Sequence, residues 1–166
     1  CALGVNLPKA RVIFADISSE ALSVTRKNIS LHRLNSRAVA LEADALSPPP
    51  LRMQNFDLIA CNPPYITEAE CKTLDTSVRD WEPMLALDGG EDGLVFYRSV
   101  LQNWKSVLKD GGWIIFEVGE GQAVDVRALL LEAGFHNLGC TLDTLGTERV
   151  IYAQKKKPIP TDSEEM

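Results

Sequence analysis

The tetrapeptide Asn62-Pro63-Pro64-Tyr65 follows an apolar run at 56–61 and brings together residue types that could do chemistry. Two consecutive prolines remove two backbone donors and fix two φ angles, so the chain is stiff there. The side-chain carbonyl of Asn62 and the backbone carbonyl of Pro63 can both point into one pocket. Together they could accept both hydrogens of a planar NH2 group. The nitrogen of an amide or aryl amine has its lone pair delocalised into the π system, as in the peptide bond. Holding both N–H bonds orients that lone pair and favours loss of planarity as an electrophile approaches. Tyr65 offers a ring face against which a flat group can pack. The structural alternative is a proline-rich turn with a helix-capping Asn.

Two acids stand at comparable places. Asp16 closes a short β-rich run at 11–17, where a carboxylate in a nucleotide-binding α/β fold accepts two ribose hydroxyls at once. Asp44 follows a second run at 38–42, where the same geometry brings a carboxylate to the exocyclic amine of an adenine ring. A helix cap for Asp16 and a turn for Asp44 are the structural alternatives.

These residues need strands to place them. The runs 11–17, 38–42, 56–61 and 113–118 read as strands, and the third is apolar enough for the buried middle of a parallel sheet. Ser18 or Ser19 can cap a helix reaching to about Leu34, with Glu20 in its first turn. Residues 93–110 read as a helix with a stripe of Val95, Phe96, Val100, Leu101, Trp104 and Leu108, ended by Gly111-Gly112 as a left-handed cap. A further helix spans 123–133 and stops at Gly134. Runs 135–141 and 149–154, joined through Gly146, are expected to pair antiparallel. Residues 62–92 form a long stretch of turn formers and acids, a length usually tied to function. Alternation of strands and helices predicts an α/β, doubly wound, mostly parallel sheet with an antiparallel C-terminal edge hairpin. Ligands of such sheets bind beyond the carboxyl ends of the strands.

Composition narrows the function classes. The chain has 166 residues, 45% hydrophobic and 24% charged, enough to bury the core of one domain. No apolar run approaches the roughly 20 residues that span a bilayer. The formal net charge of −6 argues against a non-specific nucleic-acid binder, which carries a basic stripe. The one basic run, Lys155-Lys156-Lys157, reads as a solvated end of the fold. Cys1, Cys61, Cys71 and Cys140 form no C-x-x-C pair, and His32 and His136 lack ligand spacing, so no metal site is expected. Scattered free cysteines fit a reducing, cytoplasmic setting, and Cys61 reads as a small buried hydrophobe. An acidic, proline-containing tail, 156–166, is expected to be disordered beyond a domain at 1–155.

The tetrapeptide does not stand alone. Val78-Arg79-Asp80-Trp81-Glu82-Pro83, Ala86-Leu87-Asp88-Gly89-Gly90-Glu91-Asp92-Gly93-Leu94, Tyr97-Arg98 and Phe116-Glu117-Val118-Gly119 lie downstream of it. With these, residues 1–155 resemble the HemK/PrmC family. Its members methylate the glutamine amide in the Gly-Gly-Gln loop of class I peptide-chain release factors. The tetrapeptide by itself is shared with DNA and RNA adenine methyltransferases; residues 79–94 favour the release-factor enzymes. The resemblance implies a Rossmann-like fold and S-adenosylmethionine as cofactor, with S-adenosylhomocysteine as product. Asp16 and Ile17 would meet the ribose, and Asp44 and Ala45 the adenine. Asn62, also near the cofactor, and Pro63 would hold the glutamine amide, with Pro64 and Tyr65 beside it. Glu82-Pro83 and Gly89-Gly90 would shape the substrate channel.

One departure is expected to matter. The family's Gly-x-Gly-x-Gly loop and the strand before it would precede residue 1, which is Cys and not Met, and residues 1–4 look like the end of the helix after that loop. The reading is therefore of a fragment lacking the first strand. Two other functions remain open: an adenine-amine methyltransferase acting on nucleic acid, which would need a basic groove and a flipped base, and a non-catalytic module that only docks a partner.

Overall fold

A computed structural model describes residues 1–51, 53–75 and 81–157. The chain divides into two compact units, residues 1–51 and 52–166.

The first unit runs α1 (Ala2–Asn6), β1 (Val12–Asp16), α2 (Ser19–Leu31) and β2 (Ala38–Glu42). β1 and β2 pair in parallel, from Val12 opposite Ala38 to Asp16 opposite Glu42. The Ser18 hydroxyl caps α2 by accepting from the Ala21 N–H at 3.2 Å, which satisfies one of the orphan donors of the first turn. α2 stops at Leu31, three residues short of the sequence expectation. The cause is a left-handed Arg33, φ 55°. Around it the Leu34 N–H reaches the Ile29 carbonyl and the Arg33 N–H reaches Ser30, the bond pair of a Schellman ending. Leu34 is then free to pack with Ile29 and Ala38 in the unit's small core. An Arg where glycine is usual hides this stop from a sequence reading.

The second unit contains β3 (Phe56–Cys61), a short helix α3 (Glu68–Cys71), α4 (Val95–Ser99), β4 (Leu108–Glu117), α5 (Ala123–Glu132), β5 (Phe135–Leu142) and β6 (Glu148–Lys155). The strand order is β3-β4-β6-β5. β3 and β4 are parallel, and the C-terminal hairpin adds two antiparallel pairings. β3, expected as a buried middle strand, stands at one end of this order, and its residues are half-buried or exposed. Burial alternates along β4, as strand geometry requires. Ile114 and Phe116 are fully buried and face Ala153 and Ile151 of β6, which are fully buried too. Tyr97, Val126, Leu130 and Phe135 complete this core. Burying each such large side chain contributes roughly 1.5–3 kcal/mol.

The expected helix over 93–110 is shorter and irregular. After α4 the coil widens into a π turn at Val100–Trp104 and tightens into a 3-10 turn at Lys105–Val107. Leu108 belongs to β4, opposite Phe56. Gly111-Gly112 therefore lies inside a strand and does not cap a helix. Two steps along β3, Phe56 to Leu58, match five along β4, Leu108 to Trp113. The surplus is taken up where Gly111 has φ +80° and a Cβ on Gly112 would press on three backbone carbonyls, the positional use of glycine at a bulge. Leu108 fits the helical stripe equally well by type, so periodicity placed it on the wrong side of the boundary.

The long stretch after β3 carries local order. α3 has a full capping box: Thr67 Oγ1 accepts from the Glu70 N–H, and the Glu70 carboxylate accepts from the Thr67 N–H. A 3-10 turn occupies Met84–Ala86, and Ile66 bridges to Asp88. The expected disorder of the tail lies, from residue 158 on, outside the described residues, as do Val78, Arg79 and Asp80.

Candidate active site

β3 ends at Cys61 and delivers Asn62 beyond its carboxyl end. Asn62 is exposed, Pro63 is buried, and Pro64 and Tyr65 are half-buried. A buried proline thus anchors the segment while the amide before it stays accessible. Among the described residues, the Asn62 side chain and the Pro63 carbonyl have no hydrogen-bond partner. These are the two acceptors that chemistry on a planar NH2 group would use.

The chain from Tyr65 onward is tied down. The Ile66 N–H bonds to the Leu87 carbonyl at 3.0 Å, and the Gly89 N–H bonds to the Ile66 carbonyl at 2.8 Å. The Tyr65 carbonyl accepts from Gln122 Nε2 at 2.9 Å. The same nitrogen reaches the Gly93 carbonyl at 3.4 Å, while Gln122 Oε1 accepts from the Gly119 N–H at 3.0 Å. One orientation of the amide satisfies all three partners, because one is a donor and two are acceptors. Three glycines let the backbone close in on Pro64 and Tyr65. A Cβ on Gly89 would fall 2.8 Å from Tyr65 Cα and 2.9 Å from the Pro64 oxygen, and one on Gly119 would fall 3.0 Å from the Tyr65 ring. Gly93, φ +71°, approaches the Tyr65 carbonyl and would bring a Cβ to 2.5 Å from Gln122 Nε2.

The flanking groups are structural. Desolvation pushes the Cys61 thiol up to about 12, so it stays protonated and serves as a small hydrophobe. Burial likewise raises Tyr97. Its hydroxyl donates to the Glu117 carbonyl at 2.9 Å, and its ring packs edge-on against Phe116 with centroids 5.2 Å apart. The Arg98 guanidinium bonds to Asp92 and holds that carboxyl below its ordinary range. The Asp92 carboxylate also accepts from the Leu94 N–H, just before α4.

In the first unit, Asp16 ends β1 and is exposed. Its Oδ1 accepts from the Ser18 N–H at 2.9 Å, while the helix cap itself is Ser18. Ile17 is 47% exposed. Asp44 stands two residues past β2, and both its oxygens serve the local turn, accepting from the Leu46 N–H at 2.8 Å and the Ser47 hydroxyl at 2.9 Å. Each oxygen keeps a further lone-pair site. Ala45 lies in the same turn, half-buried. In the second unit Glu82 is exposed, and Pro83 leads into the 3-10 turn. Asp88 accepts from the Gly90 N–H at 2.8 Å, closing the turn that carries Gly89-Gly90. Sequence reasoning missed Gln122. Its only signal was a polar residue three positions after Gly119, which carries no meaning until Tyr65 and Gly93 are known to lie beside it.

Among the described residues, no helix is long and apolar enough to cross a membrane. Relatives match most of the chain. A release factor glutamine methyltransferase from Clostridium botulinum is 40% identical over 153 residues, which is 92% of this chain and 54% of the relative. One from Geobacter sulfurreducens is 38% identical over 150 residues, 90% of this chain and 51% of the relative. The chain thus spans about half the length of the curated relatives it matches. Among solved structures, a methyltransferase from Pyrococcus furiosus aligns over 94% of this chain and 68% of its own, with TM-score 0.64 and 14% identity. The hMettl16 catalytic domain in complex with MAT2A 3'UTR hairpin 6 aligns over 95% of this chain and 60% of its own, with TM-score 0.68 and 15% identity. At such identities the likeness shows the fold alone, the α/β fold of class I methyltransferases. The model of the family described as "Methyltransferase small domain" matches residues 1–116, and the chain belongs to that family.

Proposed function

We propose that this chain carries the catalytic part of an S-adenosylmethionine-dependent enzyme that methylates the side-chain amide nitrogen of the glutamine in the Gly-Gly-Gln motif of class I release factors. The single observation that carries the reading is the pair of unpartnered acceptors, the Asn62 side chain and the Pro63 carbonyl, on a stiff segment beyond β3. The relatives that match most of this chain bear the name release factor glutamine methyltransferase.

The residues present suit such a cofactor. Asp16, exposed at the end of β1 with Oδ2 unengaged among the described residues, can accept from ribose hydroxyls, with Ile17 beside it. Asp44 and Ala45, in the turn after β2, can meet an adenine edge. When bound, S-adenosylmethionine supplies an electrophilic methyl group. Asn62 and Pro63 accept the two amide hydrogens of the glutamine and so fix the plane of its nitrogen. That interaction strengthens as the nitrogen loses its conjugation and its N–H bonds become more acidic, which favours the transition state over bound substrate. Pro64 and Tyr65 pack beside the flat group, and Glu82, exposed before the 3-10 turn, would help to shape the substrate channel. The proton leaves after attack, so no base need act first.

The test is incubation of the full-length enzyme with a class I release factor and isotope-labelled S-adenosylmethionine, followed by peptide mass spectrometry. One added methyl group on the Gly-Gly-Gln glutamine is the expected result. Label appearing only in RNA or DNA offered in parallel would replace this reading with adenine methylation.

A further inference from the structure

Asn62 and Pro63 need a fixed backbone, yet the tetrapeptide has few means of fixing itself. Its two prolines donate nothing, and its first two acceptors must stay free for the substrate. Beyond the buried ring of Pro63, hydrogen-bonded restraint comes from the far end, at Tyr65, and from outside the strand.

We propose that Gln122 is a positioning residue for the amide clamp. It holds the Tyr65 carbonyl, the Gly93 carbonyl and the Gly119 N–H through one side chain, at 2.9, 3.4 and 3.0 Å. This ties the end of the tetrapeptide to two loops at once: the turn that leads into α4, and the one joining β4 to α5. Gln122 is half-buried, beside Gly93 and Gly119, both buried. Those two glycines leave the room in which the amide sits, since a Cβ on Gly119 would lie 2.7 Å from its oxygen. Gln122 touches neither reacting group. It acts through the Tyr65 carbonyl, three residues from Asn62. The inference rests on the methylation reading and adds a residue to it.

The decisive substitution is Gln122→Glu, which keeps the shape and the bond from the Gly119 N–H. It replaces the donor nitrogen with an ionised oxygen that faces two carbonyl oxygens. The full-length enzyme is assayed with a class I release factor and labelled S-adenosylmethionine, with kcat and KM separated and melting temperature measured for each protein. Gly146→Ala, in the turn between β5 and β6, serves as a control, because Gly146 has φ +85° and nothing within 4 Å of its added Cβ. That change destabilises by backbone strain at a turn that holds none of Tyr65, Gly93, Gly119 or Gln122. For Gln122→Glu the expected result is a fall in kcat of about 10- to 100-fold with KM for the release factor changed by less than about twofold. At equal loss of melting temperature, kcat should fall far more than in Gly146→Ala. Unchanged kcat overturns the proposal. So does a pair of variants whose kcat tracks melting temperature alike, which would make Gln122 merely structural. If Gln122→Glu does not fold, Gln122→Met, which removes all three bonds, carries the same comparison. A wild-type enzyme inactive on the release factor overturns the methylation reading and this proposal with it, and shows before any variant is compared.

Discussion

Gly93→Ala probes how closely the backbone is packed behind the tetrapeptide. Two costs can be worked from the geometry. At φ +71° an alanine is held in the left-handed region, which costs roughly 1–2 kcal/mol. The new Cβ would also sit 2.5 Å from Gln122 Nε2 and nearer still to the Tyr65 carbonyl oxygen. Neither can withdraw without giving up a bond to the other, and such overpacking adds about 1–3 kcal/mol. The total is about 2–5 kcal/mol, a large share of the roughly 5–15 kcal/mol that stabilises a domain. Gly121→Ala has a similar φ, +82°, with nothing within 4 Å, so it should cost only the strain, roughly 1–2 kcal/mol. Urea unfolding followed by circular dichroism separates the two. With a slope of about 1–3 kcal/mol per molar urea, the Gly93→Ala midpoint should lie about 1 M below that of Gly121→Ala. Equal midpoints would refute the reasoning, because they would mean that Tyr65 and Gln122 do not press on Gly93.

Asn62→Ala should lower methyl transfer by about 100-fold or more, the scale for losing one group aimed at developing charge. Its side chain is exposed and unpartnered among the described residues, so stability should change by no more than about 0.5 kcal/mol; normal turnover in a radiolabel assay would remove Asn62 from its role. The Cys61 thiol, half-buried and pushed up to about 12 by desolvation, should resist a thiol-specific disulfide reagent at pH 8 in the native protein and react once unfolded; rapid native labelling of Cys61, located by peptide mapping, would contradict that desolvation. Glu70, Asp92, Asp143 and Glu148 all have carboxyl groups held below their ordinary range, by the Thr67 hydroxyl, the Arg98 guanidinium, the Thr147 N–H and the Arg127 guanidinium respectively. A depressed folded-state value stabilises above the unfolded value and loses that contribution as pH falls through the folded one. Urea midpoints should therefore be flat from pH 7 to about 5 and decline below about pH 4.5; a midpoint that held or rose toward pH 3 would count against these pairings.

Much of this protein was legible in its residues. β2 and β3 match their expected limits, because alternation and β-rich composition act locally and turn formers bound them. The antiparallel hairpin emerged from two such runs joined through Gly146. The tetrapeptide stood out because two prolines after an apolar run restrict the backbone whatever surrounds them. Two element boundaries were not legible. Arg33 takes a left-handed turn that its type does not announce, and packing of Leu34 against Ile29 favours it. Leu108 fits a helical stripe and a strand equally, and pairing with Phe56 decides for the strand. The sequence by itself therefore determined which groups could meet a planar nitrogen, since that depends on the chemistry of adjacent residues. Only the tertiary structure decided what holds those groups in place. Gln122 is 57 residues from Tyr65 and 29 from Gly93, and a hydrogen bond across such separations exists only once the packed core has brought the loops together.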